Sequence, residues 1–281
     1  MSLKRFTVAV ILLSTLVGWA ESAQAVLLTD DLISYWTMDE ASGTRADSIG
    51  SNNLTDHNTV TSAPGKVNGA AQFTHANSAY LSIADNPAVS VGDIDFTFST
   101  WVYLDSKPVG EMGILTKDMT NVRPPFVLAW LNSSDRFVFG IGNPAASRGV
   151  VADSFGAPPL NTWTFLTAWH DATADTVNLQ VNNGVVDSAS TFGDAPDIST
   201  GDFEIGREDI NNARTWDGRI DEVGFWKRTL SAGERSTLYE DPDVLNPPAP
   251  SGGPIVPEPS SLVLLGTGLL GLAGWRRRFR I

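Results

Sequence analysis

Residues 218–231 have the sequence GRIDEVGFWKRTLS, and this stretch decides the fold. Val223 and Phe225 are two residues apart, as expected for apolar side chains on one face of a β-strand, whereas Ile220 and Val223 are three apart. A β-bulge between Ile220 and Val223 would return all three side chains to the core. Such a bulge would also turn Asp221 towards a metal ion or towards backbone amides of the loop after the first strand.

Similar short runs of aromatic and β-branched residues precede this stretch, and Gly, Asn, Asp and Pro separate them. The run at residues 95–103 carries apolar side chains on both faces, which indicates a strand covered on both sides. Asn183 and Gly184 predict a hairpin turn after residues 176–181. Strands are expected at residues 35–38, 80–83, 95–103, 113–117, 126–130, 136–141, 162–170, 176–181, 203–206 and 219–226. The pattern is typical of an all-β, two-sheet antiparallel sandwich.

One short helix is expected after the last strand. Ser231 and Glu234 have the spacing of a capping box, in which each side chain accepts the backbone N–H of the other residue. This predicts a helix over residues 232–239. The Pro- and Gly-rich sequence that follows cannot pair as a strand. We therefore interpret residues 26–240 as one domain and residues 241–256 as an extended linker.

The N-terminus has the layout of a secretory signal peptide. Lys4 and Arg5 precede an apolar stretch at residues 6–20, and the sequence AQA at residues 23–25 matches the small-residue pattern that signal peptidase cleaves. Residues 1–25 are therefore predicted to be a signal peptide. A transmembrane anchor is the alternative, but about 15 apolar residues are fewer than the roughly 20 that a bilayer requires.

The C-terminus combines three elements in a fixed order. The sequence PEP at residues 257–259 precedes an apolar run at residues 262–275, and arginines follow at positions 276–278 and 280. Arginines resist translocation and are expected to stay cytoplasmic. They also disfavour the alternative, a hydrophobic helix packed in the core. Residues 257–281 thus resemble a PEP-CTERM sorting signal.

This resemblance implies that a membrane-embedded exosortase cuts the chain near the PEP sequence. It also implies a destination at the cell surface or in the extracellular matrix of a Gram-negative bacterium. The apolar run at residues 262–275 is short for a full span, so transient membrane insertion is favoured over permanent anchoring. The protein is therefore predicted to be exported through the inner membrane.

Several segments, in order, are similar to the laminin G-like or concanavalin A-like jelly-roll superfamily. They lie at residues 32–48, 69–73, 80–83, 96–102, 163–167, 218–231 and 238–239. The resemblance implies a jelly-roll sandwich over nearly all of residues 30–240. Members of this superfamily include sugar-binding lectins, adhesion modules and domains appended to enzymes, so the fold alone does not determine the function.

Composition limits the partners that the chain can bind. It has 19 Lys and Arg against 32 Asp and Glu, for a net charge of −13, which disfavours nucleic acid and anionic lipid. It has no cysteine, so the exported domain must be stable without disulfides. Its many aspartates suit calcium, a hard cation that binds carboxylate oxygens, and they suit solubility equally well.

The superfamily resemblance also implies a structural calcium ion, because members often hold one near the first and last strands. Asp39, Asp47 and Asp221 are the predicted ligands. The alternative is that Asp39 and Asp221 accept hydrogen bonds from the amides of turns and that no metal is bound.

Sugar binding requires an exposed aromatic ring beside polar side chains, because sugar C–H faces stack on rings while hydroxyl groups need hydrogen-bond partners. Two loops carry such combinations. The candidate ligand-binding residues are Trp130, Asn132 and Asp135 in one loop, and Asn211, Asn212, Trp216 and Asp217 in the other.

Hydrolase activity is disfavoured. A glycosidase needs two carboxylates that face one bond, whereas Asp221 and Glu222 are adjacent and point to opposite faces of a regular strand. The Glu-x-Asp-x-x-Glu arrangement of related glucanases is missing from the sequence. We therefore predict a non-enzymatic surface or matrix protein that binds polysaccharide or a surface protein. The alternative is a structural coat component without a small ligand, and a glycoside hydrolase is the least favoured.

Overall fold

The structure is a computed structural model that describes residues 27–118, 123–208 and 214–245. These residues form a series of β-strands followed by one α-helix. The strands are β1 (Leu32–Trp36), β2 (Thr55–His57), β3 (Thr61–Pro64), β4 (Gly69–Phe73), β5 (Tyr80–Ile83), β6 (Phe96–Leu104), β7 (Glu111–Lys117), β8 (Phe126–Leu131), β9 (Arg136–Gly142), β10 (Ser147–Val151), β11 (Trp163–Asp171), β12 (Thr176–Val181), β13 (Val186–Ser190), β14 (Phe203–Ile205) and β15 (Gly218–Trp226). The helix is α1 (Ala232–Glu240), and a single 3-10 turn spans His75–Asn77.

The strands form two antiparallel sheets. The eight-stranded sheet has the order β13-β12-β11-β6-β15-β4-β3, and β1 also pairs with β15. The seven-stranded sheet has the order β10-β9-β8-β7-β14-β5-β2. Some neighbours, such as β6 and β15, are far apart in sequence, which is the long-range pairing of a jelly roll. The predicted all-β, two-sheet sandwich is confirmed.

The main core lies between the two sheets and is rich in aromatic rings. Phe98 of β6 is the centre of this cluster, with ring centroids 4.7 Å from Phe225, 4.8 Å from Phe126 and 5.6 Å from Phe96. Burial of such rings is the main stabilising term, since removing one phenylalanine from a packed core costs about 3–5 kcal/mol. No disulfide is needed, in agreement with the lack of cysteine.

A second apolar cluster covers the outer face of the eight-stranded sheet. Trp101 of β6 stacks there on Tyr239 of α1, with centroids 5.7 Å apart, and Leu238 is buried beside them. Strand β6 is therefore covered on both faces, as predicted. Val244 and Leu245 pack against this same cluster, so the described start of the predicted linker lies on the domain. The rest of that linker, residues 246–256, lies outside the described residues.

The helix begins as the sequence predicts. The Ser231 Oγ atom accepts the Glu234 N–H at 3.3 Å, and the Glu234 side chain accepts the Ser231 N–H at 2.8 Å. Both halves of the capping box are thus present, and α1 ends one residue beyond its predicted limit. Within residues 27–118, 123–208 and 214–245, no helix has the length and apolar character needed to span a membrane. The predicted signal peptide and sorting signal lie outside those ranges.

Candidate functional site

The predicted bulge is present in β15. The pairing of β15 with β6 shifts between Asp221 and Gly224, and Glu222 has a φ of 51°, in the left-handed region. The bulge turns the buried Asp221 carboxylate towards the turn at residues 65–68. The Asp221 Oδ2 atom accepts the N–H groups of Lys66 at 2.7 Å and Val67 at 3.1 Å. The amides therefore belong to the turn before β4 and not, as expected, to the loop after β1.

Asp39 lies at the other end of that turn, where its Oδ1 atom accepts the Gly69 N–H at 2.8 Å. Burial and, to a lesser extent, the negative charge of Asp39 raise the pKa of Asp221 to about 7, against the opposite effect of its amide hydrogen bonds. Both carboxylates thus accept N–H groups of the same turn.

Asp47 lies in a separate hydrogen-bond network. It accepts the backbone N–H groups of Tyr35, Ile49 and Asn52 at 3.0, 3.1 and 3.0 Å. Among the residues that the structure describes, no group of three or more His, Cys, Asp or Glu side chains is placed to hold a metal ion. The contacts of Asp39 and Asp221 match the turn-amide alternative, and calcium binding at Asp39, Asp47 and Asp221 stays a prediction.

The two tryptophans predicted to stack on sugars are buried. Trp130 is 1% exposed, and its Nε1 atom donates to Asp135 at 2.9 Å; Trp216 lies wholly in the main core. The prediction of an exposed ring is therefore wrong for both, because these large apolar surfaces are covered by the sandwich. Asp135 also forms an ion pair with Lys107 at 2.6 Å.

The polar members of the two loops have different positions. Asn132 is exposed and donates to the Pro108 carbonyl at 3.4 Å. Asp217 is half-buried, accepts the His75 N–H at 3.1 Å and also accepts the Ser106 hydroxyl. Asn211 and Asn212 lie outside the described residues. Ligand binding by these side chains stays a prediction.

A groove of about 390 Å³ runs over the outer face of the seven-stranded sheet. Residues on β8, β9 and β10 alternate between the main core and this outer face. The outward side chains make an apolar floor, and polar groups line its margin. The floor residues are Val127, Leu131, Val138, Gly140, Gly149 and Val151, and the marginal residues include Pro124, Ser147, Arg148 and Glu208.

The contacts of Arg207 and of the backbone that follows it hold Glu208 beside the groove. Arg207 forms a buried ion pair with Glu204 of β14, and its guanidinium lies 3.6 Å from the centre of the Tyr80 ring. The following backbone crosses Gly113 of β7 so closely that a Cβ atom there would be 2.2 Å from the Glu208 nitrogen. Glycine is therefore needed at position 113 for this crossing.

Glu222 is a buried acid that is not among the candidate site residues of the sequence analysis. Its side chain is 4% exposed, and both of its carboxylate oxygens lack a hydrogen-bond partner within the described part of the chain. Burial, with a smaller contribution from the negative charge of Asp243, raises the pKa of Glu222 to about 8. It faces the second cluster, beside Trp101 and Leu238, whereas Asp221 faces the turn. Because the bulge keeps both Ile220 and Val223 in the main core, the two acids between them lie on the same outer face of β15. The expectation for a regular strand, that they point to opposite faces, is therefore wrong, although they make different contacts.

Comparison with known families assigns the fold. A family model described as the concanavalin A-like lectin/glucanases superfamily matches residues 75–234, which is more than half of the chain. The chain belongs to this superfamily. A second model, for the PEP-CTERM protein-sorting motif, matches residues 256–278. Both resemblances found in the sequence are confirmed, and the motif indicates export through the envelope of a Gram-negative bacterium with processing by an exosortase.

Several solved structures share this concanavalin A-like fold. Domain 4 of AbnA, an extracellular arabinanase from Geobacillus stearothermophilus in complex with arabinotriose, has a TM-score of 0.58 at 16% identity, over 74% of this chain and 98% of that one. The binding domain of Paraclostridial Mosquitocidal Protein 1 has a TM-score of 0.62 at 16% identity, over 76% and 52%. The Trypanosoma rangeli sialidase in complex with the inhibitor DANA has 0.55 at 15% identity, over 76% and 33%.

This concanavalin A-like chain therefore spans about half of the mosquitocidal binding domain and a third of the sialidase. At such low identities the likeness shows the fold alone. No curated protein matches the sequence.

Proposed function

We propose that this chain is an exported, non-enzymatic protein of the cell surface or extracellular matrix that binds polysaccharide in the groove of the seven-stranded sheet. The groove itself is the observation that carries the proposal. Its apolar floor suits the C–H faces of sugar rings, and its polar margin, with Ser147, Arg148 and Glu208, suits their hydroxyl groups. Its volume of about 390 Å³ is in the usual range for small-molecule sites.

The acids of the structure favour binding over hydrolysis. Among the described residues that line the groove, Glu208 is the sole carboxylate, and it accepts a hydrogen bond from Arg214 at 2.8 Å. A glycosidase of the usual kind needs a second carboxylate on the other side of the scissile bond. Asp221 and Glu222 have raised pKa values, but they are buried elsewhere.

Two of the similar structures are consistent with a binding role. The arabinanase domain was solved with arabinotriose, and the mosquitocidal domain is described as a binding domain.

With a net charge of −13, this chain is expected to select neutral rather than anionic polysaccharides. A surface protein is the alternative to polysaccharide as the partner. The alternative to a binding function is that of a structural coat component without a small ligand.

Affinity electrophoresis tests the proposal. The purified protein is run through gels that contain soluble arabinan, xyloglucan or alginate, and retarded migration in a neutral polymer is expected. Val138→Trp fills the groove and is expected to abolish the retardation, whereas Val185→Trp, in an exposed hairpin loop between β12 and β13, is the matched control. Normal migration in every gel, with concentration-dependent self-association, would instead support the structural coat alternative.

A further inference from the structure

Phe192 is a large apolar side chain in an unusual position. Its ring is 78% exposed, in the turn that follows β13. The Asp194 N–H donates to the Thr191 carbonyl at 3.1 Å, and the two central residues, Phe192 and Gly193, have φ values of 57° and 77°. Positive φ at both central positions is the pattern of a type I′ turn, where Asn, Asp and Gly are favoured. A phenylalanine in this conformation is strained.

Neighbouring contacts hold the turn in place. Thr191 is buried, and its N–H donates to the Asp175 carbonyl at 2.8 Å. The Phe192 N–H donates to the Ser190 hydroxyl at 3.1 Å. On the far side of the turn, the Asp194 Oδ2 atom accepts Arg148 Nε at 2.7 Å and Arg148 Nη2 at 2.6 Å. The position of the ring is therefore set by its surroundings.

Arg148 connects the ring to the groove. It lines the groove from β10, and its guanidinium lies 5.2 Å from the centre of the Phe192 ring. One face of the ring thus contacts Arg148, and the exposed remainder is open to solvent. The Arg148 and Asp194 side chains are themselves 35% and 25% exposed. Their mutual contacts use Nε, Nη2 and Oδ2, so Nη1 and Oδ1 can bind hydroxyl groups of a ligand.

Phe192 is unfavourable on two counts that are independent of each other. Its exposed ring contributes none of the stabilisation that a buried aromatic side chain gives to the fold. Its backbone conformation is one that asparagine adopts with less strain. Neither the turn hydrogen bond nor the Arg148–Asp194 pair requires a ring at position 192. Residues that break local rules in this way are typical of binding sites.

We infer that Phe192 is a stacking platform for one sugar ring of a neutral polysaccharide whose chain continues into the groove. The C–H face of the sugar packs on the exposed face of the ring, while Arg148 Nη1 donates to a sugar hydroxyl and Asp194 Oδ1 accepts from one. The polymer is neutral because Asp194 already balances the charge of Arg148. This inference rests on the proposed function and adds a specific contact to it.

The test compares variants of the full chain in gels containing soluble arabinan, xyloglucan or alginate. Phe192→Asn is expected to weaken retention in the neutral polymer about tenfold, the amount that one aromatic contact supplies. It is also expected to raise the melting temperature, because asparagine adopts the positive φ of this position with less strain. Phe192→Tyr keeps the ring and is expected to retain binding. Val109→Asn, at a side chain that is 93% exposed, is the matched control for loss of surface apolarity.

The outcomes separate this inference from the proposed function. If the wild-type protein and Phe192→Asn are retained equally, the stacking role is wrong although polysaccharide binding stands. Retention in alginate alone overturns the choice of a neutral polymer. If the wild-type protein is retained by none of the three polymers, the proposed function fails and this inference fails with it. A lower melting temperature for Phe192→Asn contradicts the strain argument.

Discussion

Gly140 of β9 is paired with Gly149 of β10 in the antiparallel ladder, and their missing side chains leave the middle of the groove open. A Cβ atom on Gly149 would be 3.2 Å from the Phe139 carbonyl oxygen, a contact that a small shift relieves. A Cβ atom on Gly140 would be 2.9 Å from the Arg148 oxygen and would require a larger rearrangement. The pair thus keeps a shallow surface between apolar side chains on both sides.

Gly149→Val is expected to weaken polysaccharide binding by narrowing the groove, with a small effect on the melting temperature. Retention in affinity gels and thermal unfolding measure the two effects. Gly43→Val is the control for a loss of stability alone. A Cβ atom at Gly43 meets no other atom within 4 Å, but the φ of 76° at this position is strained for valine. Unchanged retention by Gly149→Val would argue against this part of the sheet as the binding surface.

Asp221→Ala is expected to lower the free energy of unfolding by roughly 3 kcal/mol, because backbone N–H groups of the turn at residues 65–68 lose a buried acceptor. Asp39→Ala, which removes one contact of an exposed side chain, should cost less than about 1 kcal/mol. Urea unfolding of the two variants at one pH gives the comparison. Equal losses would contradict the role of Asp221 as the main acceptor for this turn.

Glu222 predicts a specific dependence of stability on pH. Its pKa is raised from 4.5 to about 8, so the native protein holds a proton that the unfolded chain has already released in this range. Stability is therefore expected to fall as pH rises between about 4.5 and 8, with a slope of up to roughly 1.4 kcal/mol per pH unit from this group. Glu222→Gln should remove that contribution and be more stable than wild type at pH 8.

Urea unfolding from pH 5 to pH 9 measures this effect. Asp221, whose pKa is raised to about 7, adds a slope of the same sign that the Glu222→Gln variant retains. A curve for Glu222→Gln that runs parallel to the wild-type curve would show that Glu222 does not titrate as its burial requires.

The calcium prediction has its own measurement. An ion that binds the native state raises the melting temperature, and chelator reverses the effect. If Asp39, Asp47 and Asp221 are ligands, Asp221→Asn should remove a calcium-dependent rise. A melting temperature that neither calcium nor chelator changes would leave these carboxylates as acceptors for backbone amides.

Much of the fold could be predicted because inner strands carry a clear apolar pattern. Residues 80–83 and 176–181 match β5 and β12 to the residue, and the phase break before Val223 located the bulge. The list of expected strands omits five. One is the inner strand β4, whose residues 69–73 were named only through the superfamily resemblance, and the other four are edge strands of the two sheets, namely β2, β3, β10 and β13. Their sequences, TDH, TSAP, SRGVV and VDSAS, have few apolar residues because solvent reaches them.

The candidate site was harder to predict, since burial depends on contacts between distant segments. Trp130 ends an expected strand and Trp216 is in loop-like sequence, yet both are covered by the sandwich, whereas Phe192 lies in an ordinary polar stretch and is exposed. Strand alternation could have indicated Val127 and Val138 as outward residues, but the groove depends on the pairing of β8, β9 and β10, which the sequence does not show.

An NMR titration of the protein with a soluble neutral oligosaccharide tests polysaccharide binding in the groove most directly. Backbone amide shifts are expected to change at Val127, Val138 and Val151 on the floor, and at Phe192 beside it. Changes confined to other surfaces, or none at saturating ligand, would contradict binding in the groove.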